Sequence, residues 1–135
     1  MSIRILLVED EPDILLIARA ALKRAGLSVA TATDGAAALR AVVDERPDLI
    51  LLDWMMPELD GYETCARLKA DPDTQQIPVV FLTAKTDERA RAKCMELGAL
   101  GCIAKPFDPL ALGDQVLALW QQSSGGVPVQ EGKRA

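Results

Sequence analysis

Five short apolar runs recur along this chain with segments of helical spacing between them: Ile3 to Val8, Leu27 to Ala32, Leu49 to Leu52, Pro78 to Leu82 and Gly101 to Ala104. Runs of this length, rich in Ile, Leu and Val and bounded by turn residues, read as strands. Only the second alternates like a half-exposed edge, in Leu27-Ser28-Val29-Ala30-Thr31. The other four are nearly continuous in apolar character, as strands covered on both faces are. That pattern demands a parallel sheet with its connections packed against it.

The connections supply the cover. Ile14, Ile17, Ala18, Ala21, Leu22 and Ala25 recur at i, i+3, i+4, i+7, i+8 and i+11, and Gly26 stands where a left-handed C-cap belongs. Near the other end, Asp108 suits a cap and Pro109 a first turn, ahead of an apolar stripe at Leu112, Val116, Leu119 and Trp120. Shorter helices are expected over Ala36 to Val43, Tyr62 to Ala70 and Asp87 to Leu97. Five alternating βα units make an α/β, doubly wound (βα)5 fold with helices on both faces of a five-stranded parallel sheet. With 135 residues the chain has room for one core. The domain is expected over residues 1–121. Residues 122–135, beginning Gln122-Ser123-Ser124-Gly125-Gly126, read as a flexible tail or the start of a linker.

Charge and composition remove whole classes of function. Fifteen basic against twenty acidic residues give a net charge of −5, which repels polyphosphate and disfavours direct nucleic-acid binding. Glu9, Asp10 and Glu11 interrupt the N-terminal apolar run where a signal peptide would continue, and no run is long enough for a membrane helix. Cys65, Cys94 and Cys102 lack the close spacing of zinc or thioredoxin-like sites, so reduced thiols in a cytoplasm are expected. Cys65 and Cys94 fall on helices, where a small buried hydrophobe is the simplest role. Histidine is absent, which excludes a Ser-His-Asp triad, a histidine-ligated metal and a phosphohistidine carried by this chain.

In an open parallel sheet, ligands gather at the carboxyl ends of the strands. Here those ends carry Glu9-Asp10-Glu11, Asp53, Thr83-Ala84 and Lys105-Pro106. All can meet above the sheet if strands one and three are neighbours, as in the flavodoxin-like order 2-1-3-4-5. Two carboxylates about 4 Å apart repel by roughly 4 kcal/mol at an effective dielectric of about 20, so several together require a cation. Lys105 supplies one positive charge, and a hard, oxygen-preferring dication such as Mg2+ supplies the rest. A carboxylate beside a dication, a lysine and a hydroxyl is equipped to attack a phosphoryl group.

In order and spacing, Val8-Glu9-Asp10-Glu11, Asp53-Trp54-Met55-Met56-Pro57 with Asp60-Gly61, Thr83-Ala84, Gly98-Ala99 and Lys105-Pro106-Phe107 resemble the receiver domain of two-component response regulators, over about residues 3 to 121. The resemblance implies that Asp53 accepts a phosphoryl group from the phosphohistidine of a sensor histidine kinase or a histidine phosphotransfer protein. It implies Mg2+ held directly by Asp10, Asp53 and the backbone carbonyl of Met55, with Glu9 acting through water. Lys105 would pair with a phosphoryl oxygen, and Thr83 would swing in to hydrogen-bond another. Pro57 and Gly61 would shape the loop after the phosphorylation site, and the Lys105-Pro106 bond is usually cis in this family. The implied module catalyses only its own phosphorylation and dephosphorylation. It signals to a downstream output protein or domain, and phosphorylation-dependent homodimerisation is compatible with it.

One departure concerns switching. The family usually places Tyr or Phe three residues before the strand-five lysine, where this chain has Cys102. The output switch at Thr83 and Cys102 is therefore expected to be altered, with the fourth helix and its preceding loop carrying more of the signal. The resemblance places Lys85 at a position that varies in the family and influences how water reaches the phosphoryl group. Arg89, Arg91 and Lys93 are expected on a solvated face, and Trp54 is expected to cover the sheet edge.

Two other functions share parts of this pattern. A flavin binder of this fold needs a phosphate loop rich in Ser, Thr or Gly after strand one, where this chain is acidic. A Mg2+-dependent phosphatase with an aspartyl-phosphate intermediate remains the alternative. The haloacid-dehalogenase type needs a second aspartate two positions after the nucleophile, and Met55 stands there.

Overall fold

A computed structural model describes residues 3–55, 60–84 and 88–123. Its elements alternate in chain order: β1 (Arg4–Val8), α1 (Pro12–Arg24), β2 (Ser28–Ala32), α2 (Gly35–Glu45), β3 (Leu49–Asp53), α3 (Gly61–Ala70), β4 (Val79–Ala84), α4 (Glu88–Glu96), β5 (Gly101–Lys105) and α5 (Leu112–Ser123). All strand pairs are parallel, and the sheet order is β2-β1-β3-β4-β5. The expected doubly wound fold is present.

Alternation along the central strands divides the core in two. Leu6, Val8, Ile50, Leu52, Val79 and Phe81 face the side covered by α2, α3 and α4. Ile5, Leu7, Leu49, Leu51, Val80 and Leu82 face α1 and α5. Both sets are fully buried, which is why these strands read as unbroken apolar runs. The same reading fails at β5. Of its residues only Ile103 is buried, because β5 is the second edge of the sheet and lacks a neighbour beyond it. The β2 edge is half-exposed, as expected.

Local signals set most helix ends. Gly26, at φ +90°, follows the Ala25 C-cap of α1, and the Leu27 amide reaches back to the Leu22 carbonyl at 3.1 Å. The Asp34 carboxylate caps α2 by accepting from the Ala37 amide at 2.7 Å, and Asp60 caps α3 by accepting from the Glu63 amide at 2.9 Å. The expected cap at Asp108 is displaced. Its carboxylate accepts from the Leu110 amide, and its carbonyl accepts from both Ala111 and Leu112, so residues 109–111 form a turn and α5 begins only at Leu112. From there α5 lies close against α1: a Cβ on Gly113 would collide with the Ala25 methyl. At its far end α5 continues through Gln122 and Ser123, into the stretch read as tail.

The apolar stripe of α1 is buried only in its second half. Ala18, Ala21 and Leu22 enter the core, whereas Ile17 is 47% exposed and Ile14 partly so. Both line a hollow at the carboxyl end of the sheet. At the opposite, amino end, Trp120 and Ser123 of α5 flank a second hollow with Asp48, Pro78, Gly98 and Leu100, residues that lead into strands. Helix α5 thus terminates at the edge of the sheet remote from Asp53.

Candidate functional site

Strand register brings the acidic residues together. Val8 pairs with Leu52, so Glu9 and Asp53 leave adjacent strands at the same level. Thr83 and Lys105 follow at the corresponding ends of β4 and β5, where Ala84 pairs with Lys105. Glu9, Asp53 and Thr83 are buried, at 0%, 2% and 3% exposure. Such burial of two carboxylates is tolerable only with compensating charge. Lys105 provides it: Nζ lies 3.0 Å from Asp53 Oδ1 and 3.1 Å from Glu9 Oε1.

Backbone donors complete part of the shell. The Met55 amide donates to Asp53 Oδ1 at 3.3 Å, and the Glu11 amide donates to Glu9 Oε2 at 3.1 Å. Burial pushes the Glu9 carboxyl above its usual range, with the Glu11 amide opposing and the Asp53 charge adding to the rise. Burial likewise raises Asp53, while Lys105 pulls it back. Burial works against the Lys105 ammonium too, yet Asp53 and Glu9 outweigh it and hold its pKa above the ordinary lysine value. One lysine leaves the two carboxylates under-compensated.

Glu9 Oε1 shows where the shortfall lies. Its contact with Lys105 at 3.1 Å is an ion pair, and among the described residues the atom has no hydrogen-bond partner. Carboxylate oxygens of Glu9, Asp10 and Asp53 all lie within 4.8 Å of one another. A buried, unsatisfied oxygen in an all-oxygen donor set fits a hard dication of the Mg2+ type, which prefers carboxylates and retained water.

Each remaining expected site residue can be placed. The Thr83 hydroxyl turns to the Ala84 carbonyl at 3.5 Å, a weak contact, and Thr83 lines the hollow beside Asp53 and Lys105. Met55 enters through its N–H, and its side chain is 73% exposed. The Lys105-Pro106 bond is cis. Gly61 packs directly on the end of β3: a Cβ there would strike the Asp53 carbonyl oxygen and come within 2.9 Å of Trp54 Cα. Only glycine allows that approach. Trp54 does more than cover an edge, since it packs edge-on against both Phe81 and Tyr62, at centroid distances of 5.2 and 5.9 Å. Met56, Pro57, Lys85, Asp87 and the tail from Ser124 lie outside the described residues.

Cys102 sits half-buried in the middle of β5, away from the acidic cluster and on the side facing α4. Sequence reasoning placed Cys94 in the core correctly but did not bring it into one cluster with Cys102 of β5. The backbone donors of Glu11 and Met55 were also not foreseen. No side-chain signal marks them.

A five-stranded α/β sheet in this order, with acids and a lysine converging at its carboxyl edge, defines a doubly wound domain with an acidic site at its strand ends. The profile of the response regulator receiver domain matches residues 5–117, and the chain belongs to that family. It is 39% identical over 98% of its length to the alkaline phosphatase synthesis transcriptional regulatory protein PhoP of Bacillus subtilis, covering 55% of that protein. It is also 39% identical over 95% of its length to the phosphate regulon transcriptional regulatory protein PhoB of Pseudomonas aeruginosa, covering 57%. The chain therefore spans about half the length of these relatives. Among solved structures, the chemotaxis response regulator CheY4 of Vibrio cholerae superposes with a TM-score of 0.82 at 28% identity, over 88% of this chain and 99% of that one. Among the described residues no helix is long and apolar enough to cross a membrane.

Proposed function

We propose that the chain is the phosphoacceptor module of a two-component phosphorelay, with Asp53 as the acceptor. The observation that carries this reading is the Lys105 ammonium bridging Asp53 and Glu9 beside an unsatisfied carboxylate oxygen. Lys105 and the Met55 amide together hold Asp53 Oδ1, fixing the carboxylate toward the hollow. An Asp53 oxygen attacks phosphorus, and the bond from phosphorus to the donor's imidazole nitrogen breaks, its electron pair staying with the departing imidazole. Lys105 then turns from the carboxylates to a phosphoryl oxygen, and the Thr83 hydroxyl leaves its weak contact to bond another. Asp10, Asp53 and the Met55 carbonyl, with Glu9 beside them, would hold Mg2+, which would supply charge neutralisation for the transferred group.

The partners follow from the same geometry. Ile14 and Ile17 form an apolar wall beside Asp53 that a donor protein's helix can cover, which suits a histidine kinase or histidine phosphotransfer protein. The output is a downstream protein or domain reached through the α4 and β5 surface, with phosphorylation-dependent homodimerisation compatible with that route. A cytoplasmic location and a receiver boundary near residue 121 belong to this reading. The phosphatase alternative is not favoured by the site: the position where an acid/base aspartate is needed is the exposed Met55.

The test is stoichiometric labelling. With acetyl phosphate and Mg2+, intact-mass measurement should show one added phosphoryl group, and none on the Asp53→Asn variant. Full labelling of that variant would overturn the assignment. Repeated turnover of phosphomonoesters would restore the phosphatase.

A further inference from the structure

Asp53 opens into a hollow of about 450 Å3 at the carboxyl end of the sheet, walled by Ile14 and Ile17 of α1 and by Phe107 and Pro109 beyond β5. The charged groups lining it are Asp53 and Lys105, joined by the Thr83 hydroxyl. Asp53 is only 2% exposed, so a phosphoryl donor must enter this hollow to reach it, and the group it releases must first lie there.

Two features define that group. The first is that no lining residue is set to hand it a proton. Asp53 is the nucleophile, Lys105 is paired with both Asp53 and Glu9, a threonine hydroxyl is a weak acid, and the chain has no histidine. A group that brings no proton of its own must leave as a stable anion, and a carboxylate does so where an alkoxide does not. The second is that the walls around it are apolar. At roughly 30 Å3 per water-sized group the hollow holds about fifteen, whereas acetyl phosphate brings about eight non-hydrogen atoms. Acetyl phosphate therefore falls short of the isoleucine wall.

We propose that the hollow binds aliphatic acyl phosphates, with the phosphoryl group against Lys105 and Thr83 and an acyl chain longer than acetyl against Ile14, Ile17 and Pro109, so that Asp53 takes a phosphoryl group from such donors in preference to acetyl phosphate. The proposal rests on the phosphoacceptor reading of Asp53 and names a small-molecule donor class for it. An Asp53 oxygen forms the new bond to phosphorus. The bond from phosphorus to the acyl oxygen breaks, and its electron pair leaves with the carboxylate. Aspartyl phosphate and a free carboxylate are the products, and no proton or further reactant is required.

Selectivity follows from burial. Lengthening an aliphatic chain barely alters the basicity of the carboxylate released, so intrinsic reactivity is common to the series. Each methylene fully taken from water strengthens binding by up to about fourfold. The hollow is open toward solvent at Ile17, which is 47% exposed, so only part of that gain is realised, about tenfold or more from acetyl to hexanoyl.

The experiment supplies the full chain with Mg2+ and acetyl, butanoyl or hexanoyl phosphate, each well below saturation, and counts phosphoryl groups by intact mass. The rate constant per unit of donor concentration should rise along the series, by about tenfold or more at hexanoyl. Hexylphosphonate, which has no bond to transfer across, should inhibit acetyl phosphate labelling at about tenfold lower concentration than methylphosphonate. Ile17→Ser should lower the hexanoyl-to-acetyl ratio by about threefold or more. Leu16→Ser, exposed on the same helix and outside the hollow, should keep the ratio. Because the donor series and the phosphonates are read on the parent chain, poor folding of a variant leaves the test intact. A rate that is flat or falls along the series, equal inhibition by the two phosphonates, or a preference that survives Ile17→Ser would each overturn the proposal and leave the phosphoacceptor reading in place. No labelling by any donor, or full labelling of Asp53→Asn, would overturn both.

Discussion

Asp53→Asn keeps the shape of the acceptor side chain while removing its charge, and the metal-free protein should become more stable for it. Burial raises the folded-state pKa of both Asp53 and Glu9. A group raised in this way contributes stability that is fully present below its unfolded value and is lost as pH rises through the folded one. For Asp53 that loss begins above the ordinary 3.8 and is complete once the raised value is passed. In EDTA, thermal unfolding should therefore show stability declining on that rise, and Asp53→Asn should flatten the decline and gain on the order of 1 kcal/mol at neutral pH. A parent chain more stable at neutral pH than in mild acid would contradict it. Metal reverses the balance. Mg2+ should perturb the fluorescence of Trp54, whose backbone adjoins Asp53, against a steady background from Trp120. Asp10→Ala should weaken that response several-fold, and so should mild acid, as protons compete at Glu9 and Asp53. An unchanged titration in the variant would remove Asp10 from the ligand set. These residues were legible in the sequence because each stands where an apolar strand stops. The gathering of Cys94 and Cys102 in one cluster was not, because the meeting of a helix and a strand depends on how α4 packs, which residue spacing does not encode.

At the scale of elements, α1 divides its labour. Its second half closes the core, and its first half presents Ile14 and Ile17 to the hollow above the sheet. The unbroken periodicity in the sequence concealed this, since the face lining the hollow and the face closing the core share one stripe. Ile17→Glu should slow transfer from a phosphohistidine protein about tenfold or more while leaving labelling by acetyl phosphate within twofold, because only the protein donor covers that wall. Equal loss with both donors would mean that the substitution damaged the acid cluster instead. The expected order 2-1-3-4-5 already set β5 at an edge, but its apolar run was read as covered on both faces and only Ile103 proved buried, because a run of four apolar residues does not register the missing neighbour. That edge bears on switching. Cys102 offers little bulk to follow Thr83, so amide exchange with and without beryllofluoride should change chiefly in α4 and at Ala84. Changes confined to β5 around Cys102, with α4 silent, would show that the usual route persists.

For the whole molecule, the sheet separates two ends with different tasks. The acids, Lys105 and Thr83 occupy the carboxyl edge, and α5 delivers the chain at Ser123 to the amino edge. A strand of five residues such as β3 spans about 15 Å. In solution at physiological ionic strength, potentials decay over about 8 Å. A charge placed on Asp53 would thus be largely screened at Ser123, and any response at that end would have to come from a displaced surface and not from the field that produced the displacement.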